Sequence, residues 1–205
     1  MNKKILTIEN LIEFCEKQNF HDFNAKESGY QLCVQVPASF EKEDTTDDSM
    51  LFGNIKLLHS GRNKNKSNVT EDATKKCMST IAYKPILANF TDVNGELDFT
   101  SHDFEICDDG NITYYEKQVG CFTADKPYME QDPDHEDRKY VYAKCAIPRN
   151  YTAAADIIER KGGTKVSAEL GINKMSYDSK EKELLLEDVV VLGATLLGVD
   201  PESGE

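Results

Sequence analysis

The sequence predicts an α+β chain built mostly on an antiparallel sheet or barrel, and three observations carry that prediction. Strand-like segments outnumber helical ones throughout. Beyond residue 50 only two helical patterns interrupt them. The chain then closes on two long apolar segments, 164–172 and 183–197, joined by a turn at 177–180.

Taken in order, Thr7 has the chemistry to cap a helix over 8–18, with Ile8, Leu11, Ile12 and Cys15 on one face. Residues 30–37 alternate Leu32, Val34 and Val36 with Gln31, Cys33 and Gln35, as a half-buried strand does. The run 41–49 (EKEDTTDDS) is acidic and polar. Residues 1–50 therefore read as a helix-strand extension with an acidic linker, ahead of a main domain over 51–200 and a linker-like tail over 201–205. In the main domain 54–59 is a strand and 61–67 a polar loop. Asn68 and Glu71 have capping-box spacing and open a helix with Val69, Ala73, Cys77 and Ile81 at intervals of four. Pro85 closes it, 86–90 is a short apolar run, and Asn94-Gly95 marks a hairpin turn. Strands are expected at 112–116, 118–123 and 139–147. Asn150 caps a second helix over 151–161 with Ala154, Ile157 and Ile158 inward, and Gly162-Gly163 ends it.

Composition narrows the function classes. The 205 residues carry 24 Lys+Arg against 37 Asp+Glu, a formal charge of −13, which opposes nucleic acid and anionic membranes. Mean hydropathy is −0.56. The longest apolar stretch, 189–199, is broken by Gly193, Thr195 and Gly198 and is too short to span a bilayer. Lys3 and Lys4 lack a hydrophobic run behind them, so no targeting segment is expected. The six cysteines stand singly without CxxC spacing, which predicts reduced thiols and no zinc site.

Four local clusters invite chemistry. The run 61–67 (GRNKNKS) lacks the second Gly that a phosphate loop needs before its Lys-Ser pair. The run 131–139 (QDPDHEDRK) lacks the central Gly of a calcium loop and reads as a hairpin tip. His102 lies in an alternating aromatic-polar segment, 99–105 (FTSHDFE). Ser167 follows the Gly-Gly turn near the start of a strand, where period two sets Lys165, Ser167 and Glu169 on one face against Val166, Ala168 and Leu170. A hydroxyl beside a carboxylate fits either a nucleophile site or the wet face of a strand.

The order of these segments resembles the prohead (head-maturation) proteases of tailed phages, distant relatives of the herpesvirus assemblins. The features shared are the loop 59–67 (HSGRNKNKS), a helix, the Pro-Ile segment 84–88, Ser101-His102-Asp103, the Gly-bearing strand 118–122, Val166-Ser167-Ala168-Glu169 and the final 195–198 (TLLG). The resemblance covers about 51–200 and implies the assemblin-type barrel wrapped by helices. It assigns Ser167 as nucleophile and His102 as general base, and puts an oxyanion hole near Gly198–Val199. The third catalytic position aligns with Gly193, which cannot orient an imidazole. Glu169, about 7 Å from Ser167 by strand rise, is then expected to act as the third residue, ahead of Asp188, about 10 Å displaced if Ser167 pairs near residue 191; a Ser-His dyad supported by solvent is the remaining alternative.

The resemblance thus implies a serine endopeptidase that cleaves scaffold and capsid-protein segments, and its own termini, during head maturation. It implies a homodimer working inside the assembling prohead in the host cytoplasm, without metal, organic cofactor, nucleic acid or membrane. The net charge favours basic or neutral target segments. The alternatives are an inert capsid-assembly or scaffolding module of the same fold, for which Gly193 speaks, and an unrelated acidic binding protein.

Overall fold

The computed structural model describes residues 5–29, 32–43, 47–63, 66–100, 102, 104–106, 112–133, 135–136 and 138–198. After the short strand β1 (Ile5–Leu6), helix α1 (Ile8–Gln18) begins where expected, its Asn10 N–H held at 3.2 Å by the Thr7 hydroxyl. Its last turn ends at Asn19 in the left-handed conformation, φ 49°. Strand β2 (Asp22–Asn24) and the single turn α2 (Ala25–Ser28) lead into the long β3 (Leu32–Lys42). Then come β4 (Met50–His59), β5 (Gly61–Arg62) and β6 (Ser67–Val69).

Helix α3 (Glu71–Cys77) starts later than its capping-box spacing predicts. Thr70 is the cap, accepting from the Ala73 N–H at 3.1 Å, while Asn68 lies within β6 and donates to Glu183. Long-range pairing of 67–69 with 184–186 has taken the residues that local pattern gave to a helix. A 3₁₀ turn (Met78–Thr80) precedes β7 (Pro85–Ala88). The hairpin β8 (Phe90–Val93) and β9 (Glu96–Phe99) turns on Asn94 and Gly95, both at positive φ (57° and 88°), as its Asn-Gly pair predicts. A second small hairpin, β10 (Phe104–Ile106) and β11 (Ile112–Tyr114), leads to β12 (Lys117–Phe122), β13 (Tyr128–Gln131) and β14 (Lys139–Pro148). Helix α4 (Ala154–Lys161) is a turn shorter than predicted and ends on Gly162 at φ 70°. The last strands are β15 (Thr164–Asp178) and β16 (Glu183–Leu197).

Seven strands close into a barrel in the order β15, β3, β4, β14, β12, β7, β16, with β16 returning to β15. Six seams are antiparallel, and the seventh, between β7 and β16, is parallel. An odd number of staves cannot alternate in direction all the way round, so closure itself demands a parallel seam. The barrel is therefore mixed rather than antiparallel throughout, and β6 adds a further parallel pairing to β16.

The proposed division at residue 50 does not coincide with a boundary in this architecture. β3 is a stave between β15 and β4, and Ile8, Leu11, Val34 and Phe40 share one buried cluster with Leu170 and Leu196. The N-terminal residues complete the core instead of preceding it. Part of the acidic run likewise belongs to β3, through Glu41 and Lys42; residues 44–46 lie outside the described residues. Among the described residues no helix is long and apolar enough to cross a membrane.

One ion cluster ties α4 to β3 and to Arg149, just past the end of β14. Glu159 of α4 accepts two bonds from the Arg149 guanidinium at 2.7 and 3.0 Å and one from Lys42 of β3 at 3.0 Å. These cations hold the Glu159 carboxyl down at about 2, from an ordinary 4.5. A depressed carboxyl contributes stability that is fully present above its unfolded value and is lost as pH falls toward its folded one. Glu159→Gln should therefore melt about 2–4 °C below wild type at neutral pH, the shift that about 1 kcal/mol gives at this size. The gap should narrow as pH falls from about 4.5 to about 2, which thermal melts in a pH series would measure.

Candidate functional site

Strand β15 loses its simple alternation where the predicted nucleophile sits. From Val166 to Ile172 both faces are buried. Val166, Ala168 and Leu170 belong to the barrel core, whereas Ser167 and Glu169 project from the opposite face and remain only 6% and 8% exposed. Ser167 lies between Pro37 of β3 and Thr195 of β16; Glu169 lies between Gln35 and Gly193. Paired residues share a face, so these side chains form one polar surface on a barrel wall. Within it the buried Thr195 hydroxyl donates to Glu169 Oε1 at 3.1 Å.

His102 enters from the segment after β9. The Thr100 N–H donates to the Asn89 carbonyl at 3.0 Å, and the Thr100 carbonyl accepts from the Gly198 N–H at 3.3 Å. Gly198 follows Thr195 by three residues, so the chain ahead of His102 is fastened to the same end of β16 that faces Ser167. Lys161 reinforces the anchor, reaching the Asp98 carboxylate and the Gly198 carbonyl at 2.9 Å each.

The imidazole is held by one side. His102 Nδ1 lies 3.3 Å from Glu116 Oε1, with the Glu116 side chain only 5% exposed, and His102 Nε2 is buried without a partner. Neither ring nitrogen is thus bonded to Ser167. The Tyr114 phenol is raised above its usual range by burial, then by the charges of Glu169, Cys33 and Glu116. The carboxylate that holds His102 and the carboxylate beside Ser167 therefore act on one phenol. Chemically, this is a half-buried imidazole oriented by an acid at Nδ1, with its buried Nε2 unpartnered, the arrangement a general base requires.

Three expectations about the third residue change. Glu169 is on the Ser167 face as predicted, but its partner is Thr195, and the acid at the imidazole is Glu116. The turn of the last hairpin falls later than expected, because the Asp178 carboxylate accepts the Lys180 and Glu181 N–H groups. With that turn and three register shifts, Ser167 faces Thr195, and Asp188 faces Lys174. Asp188 is then about 23 Å along the strand from the Ser167 position, not the 10 Å expected. Gly193 has Pro85 packed against it, with the carbonyl oxygen 3.1 Å from where a Cβ would stand. The Gly198 N–H, expected at the oxyanion hole, is already given to Thr100, and Val199 lies outside the described residues.

The other clusters resolve as structural features. Arg62 pairs with Glu183 at 2.9 Å, and the Gln131 side chain donates to the carbonyls of His135, Glu136 and Arg138, which shapes a hairpin tip. No group of metal-ligating side chains gathers among the described residues. Burial pushes the Cys15 and Cys77 thiols up to about 11 and about 12, which removes them as neutral-pH nucleophiles.

Residues 49–204 match the family described as the YonD N-terminal domain. The chain belongs to that family. No curated protein and no solved structure matches it. The YonD N-terminal domain match takes in His102, Glu116, Ser167 and Glu169 and six of the seven staves, β4, β7, β12, β14, β15 and β16. The seventh stave, β3, and helix α1 stand ahead of it.

Proposed function

We infer that this chain is a serine endopeptidase of the prohead-protease kind, with Ser167 as nucleophile, His102 as general base and Glu116 as the acid that orients the imidazole. The observation that carries this reading is the His102 ring, held at Nδ1 by a buried carboxylate and free at a buried Nε2. In the reaction Ser167 Oγ attacks the peptide carbonyl carbon while Nε2 takes the hydroxyl proton. The C–N bond then breaks, and the same proton passes to the leaving amine. Water attacks the acyl ester, again giving a proton to Nε2, and Ser167 recovers it as the acid product leaves. This chemistry calls on no metal or organic cofactor. The substrates proposed are scaffold and capsid-protein segments and the chain's own termini, cut by a homodimer inside the assembling prohead.

A second reading has its own support. Ser167 is 6% exposed and has no bond from His102, as an inert capsid-assembly module of the same fold would allow. A fluorophosphonate decides between them, since only an activated serine displaces its fluoride to form an Oγ–P bond. The endopeptidase should yield a single adduct that mass spectrometry maps to Ser167, and co-expressed capsid protein should be shortened. An unlabelled Ser167 together with intact capsid protein would establish the inert module.

Within the endopeptidase, Glu116→Gln should slow labelling about 10²-fold, the lower end of general acid-base effects, because a 3.3 Å contact is longer than a strong charge-assisted bond. Labelling rates followed across pH would check it.

A further inference from the structure

The buried carboxylate of Glu169 is left over once Glu116 holds the imidazole. It is 8% exposed and accepts one hydrogen bond, from the uncharged Thr195 hydroxyl. No ion pair among the described residues includes it. The basic residue nearest along the same strand face, Lys165, lies beyond Ser167, four residues or about 13 Å away. The Tyr114 phenol is raised above its usual range by burial first and then by charges that include Glu169, so it offers this carboxylate no compensation. A largely buried carboxylate with one neutral donor keeps an oxygen available to a cation. Its place is also specific: two residues from Ser167 on the same face, about 7 Å by strand rise, the reach of one extended side chain.

Resting on the endopeptidase reading, we propose that Glu169 is the specificity residue of this site and selects a substrate with a Lys or Arg side chain at the bond to be cut. A basic side chain laid along the wall from Ser167 brings its ammonium or guanidinium to the free oxygen of Glu169, while Thr195 keeps the other oxygen in place. The acyl-enzyme chemistry is unchanged. The cation is what makes the peptide fit, and neutral or acidic side chains leave the carboxylate unpaired or repelled. The charge of −13 draws the same class of peptide toward the protein.

The test uses aminoalkyl diphenyl phosphonates, in which Ser167 Oγ displaces phenol to form an Oγ–P bond. Three probes differ only in the side chain: a lysine-like ammonium, its uncharged isostere and a carboxylate. Wild type should react at least tenfold faster with the ammonium probe than with the isostere, and slowest with the carboxylate. Glu169→Gln should bring the first two rates within about twofold, and Glu169→Lys should favour the carboxylate probe. Equal rates in wild type, or a preference that survives Glu169→Gln, would overturn the assignment. A small fluorophosphonate run in parallel separates the causes. Ser167 labelled without side-chain preference removes the role of Glu169 alone, whereas no labelling by any probe removes the nucleophile and this assignment with it.

Discussion

His102→Ala is expected to slow fluorophosphonate labelling of Ser167, and cleavage of any substrate, by at least about 10³-fold. The argument rests on the unpaired ring nitrogen. The His102 Nε2 is withdrawn from solvent and given no partner, whereas Nδ1 is spent on Glu116. An unsatisfied buried nitrogen costs stability. A general base needs that nitrogen empty until the hydroxyl proton arrives. The side chain is also partly accessible, at 20%, so replacement leaves a site that small molecules can enter. Added imidazole should accordingly restore part of the lost rate in His102→Ala and none in Ser167→Ala. A structural role for His102 would instead show as a lowered melting temperature without rescue, and labelling at the wild-type rate would remove His102 from the mechanism.

The parts of this fold that were legible in the sequence are those with local causes. Thr7 and Gly162 mark their helix ends, and Asn94-Gly95 makes its turn, because each acts through backbone groups within a few residues. What escaped depends on pairing between distant segments. The strand seen at 30–37 gave no sign that it would lie between β15 and β4, since a stave reads the same in an appendage as in a barrel. The helix start at Asn68 was overridden by parallel pairing with β16. Mixed strand direction was illegible too, as a period-two pattern is indifferent to direction.

The site divides the same way. Ser167 and Glu169 were found on one strand face because alternation alone puts them there. The register opposite them is not legible from alternation, since it depends on three register shifts and on the Asp178 side chain setting the turn. Nothing local in the sequence ties Glu116 to His102. It lies fourteen residues from His102 and reaches it only once the intervening hairpin has folded back. A signal did exist: Ile112, Tyr114 and Glu116 share a parity, and a carboxylate at the inward parity of an apolar-aromatic segment is a buried charge in search of a partner.

Gly198→Ala is expected to destabilise the protein by about 3 kcal/mol or more, lowering the melting temperature by about 6–12 °C, and to impair the site at the same time. Gly198 does not adopt a positive φ, so backbone freedom is not what requires glycine there. Space is. A Cβ at this position would stand 1.8 Å from the Phe99 carbonyl oxygen and 2.6 Å from its carbon, both backbone atoms. No rotamer can relieve that overlap, and Phe99 is itself 2% exposed in the core, so either β16 or the 99–100 segment must shift by more than an ångström. The shift breaks the Gly198 to Thr100 hydrogen bond and the Lys161 clamp, the contacts that fasten the chain ahead of His102 to the strand facing Ser167. Labelling of Ser167 should fall with stability, and it should remain low at temperatures where the variant is still folded. Gly193→Ala is the matching control, since its Cβ would meet Pro85 at 3.1 Å, a contact that a few tenths of an ångström relieve. A Gly198→Ala protein that melts with Gly193→Ala and labels at the wild-type rate would show that the 99–100 segment is free to move without disturbing His102.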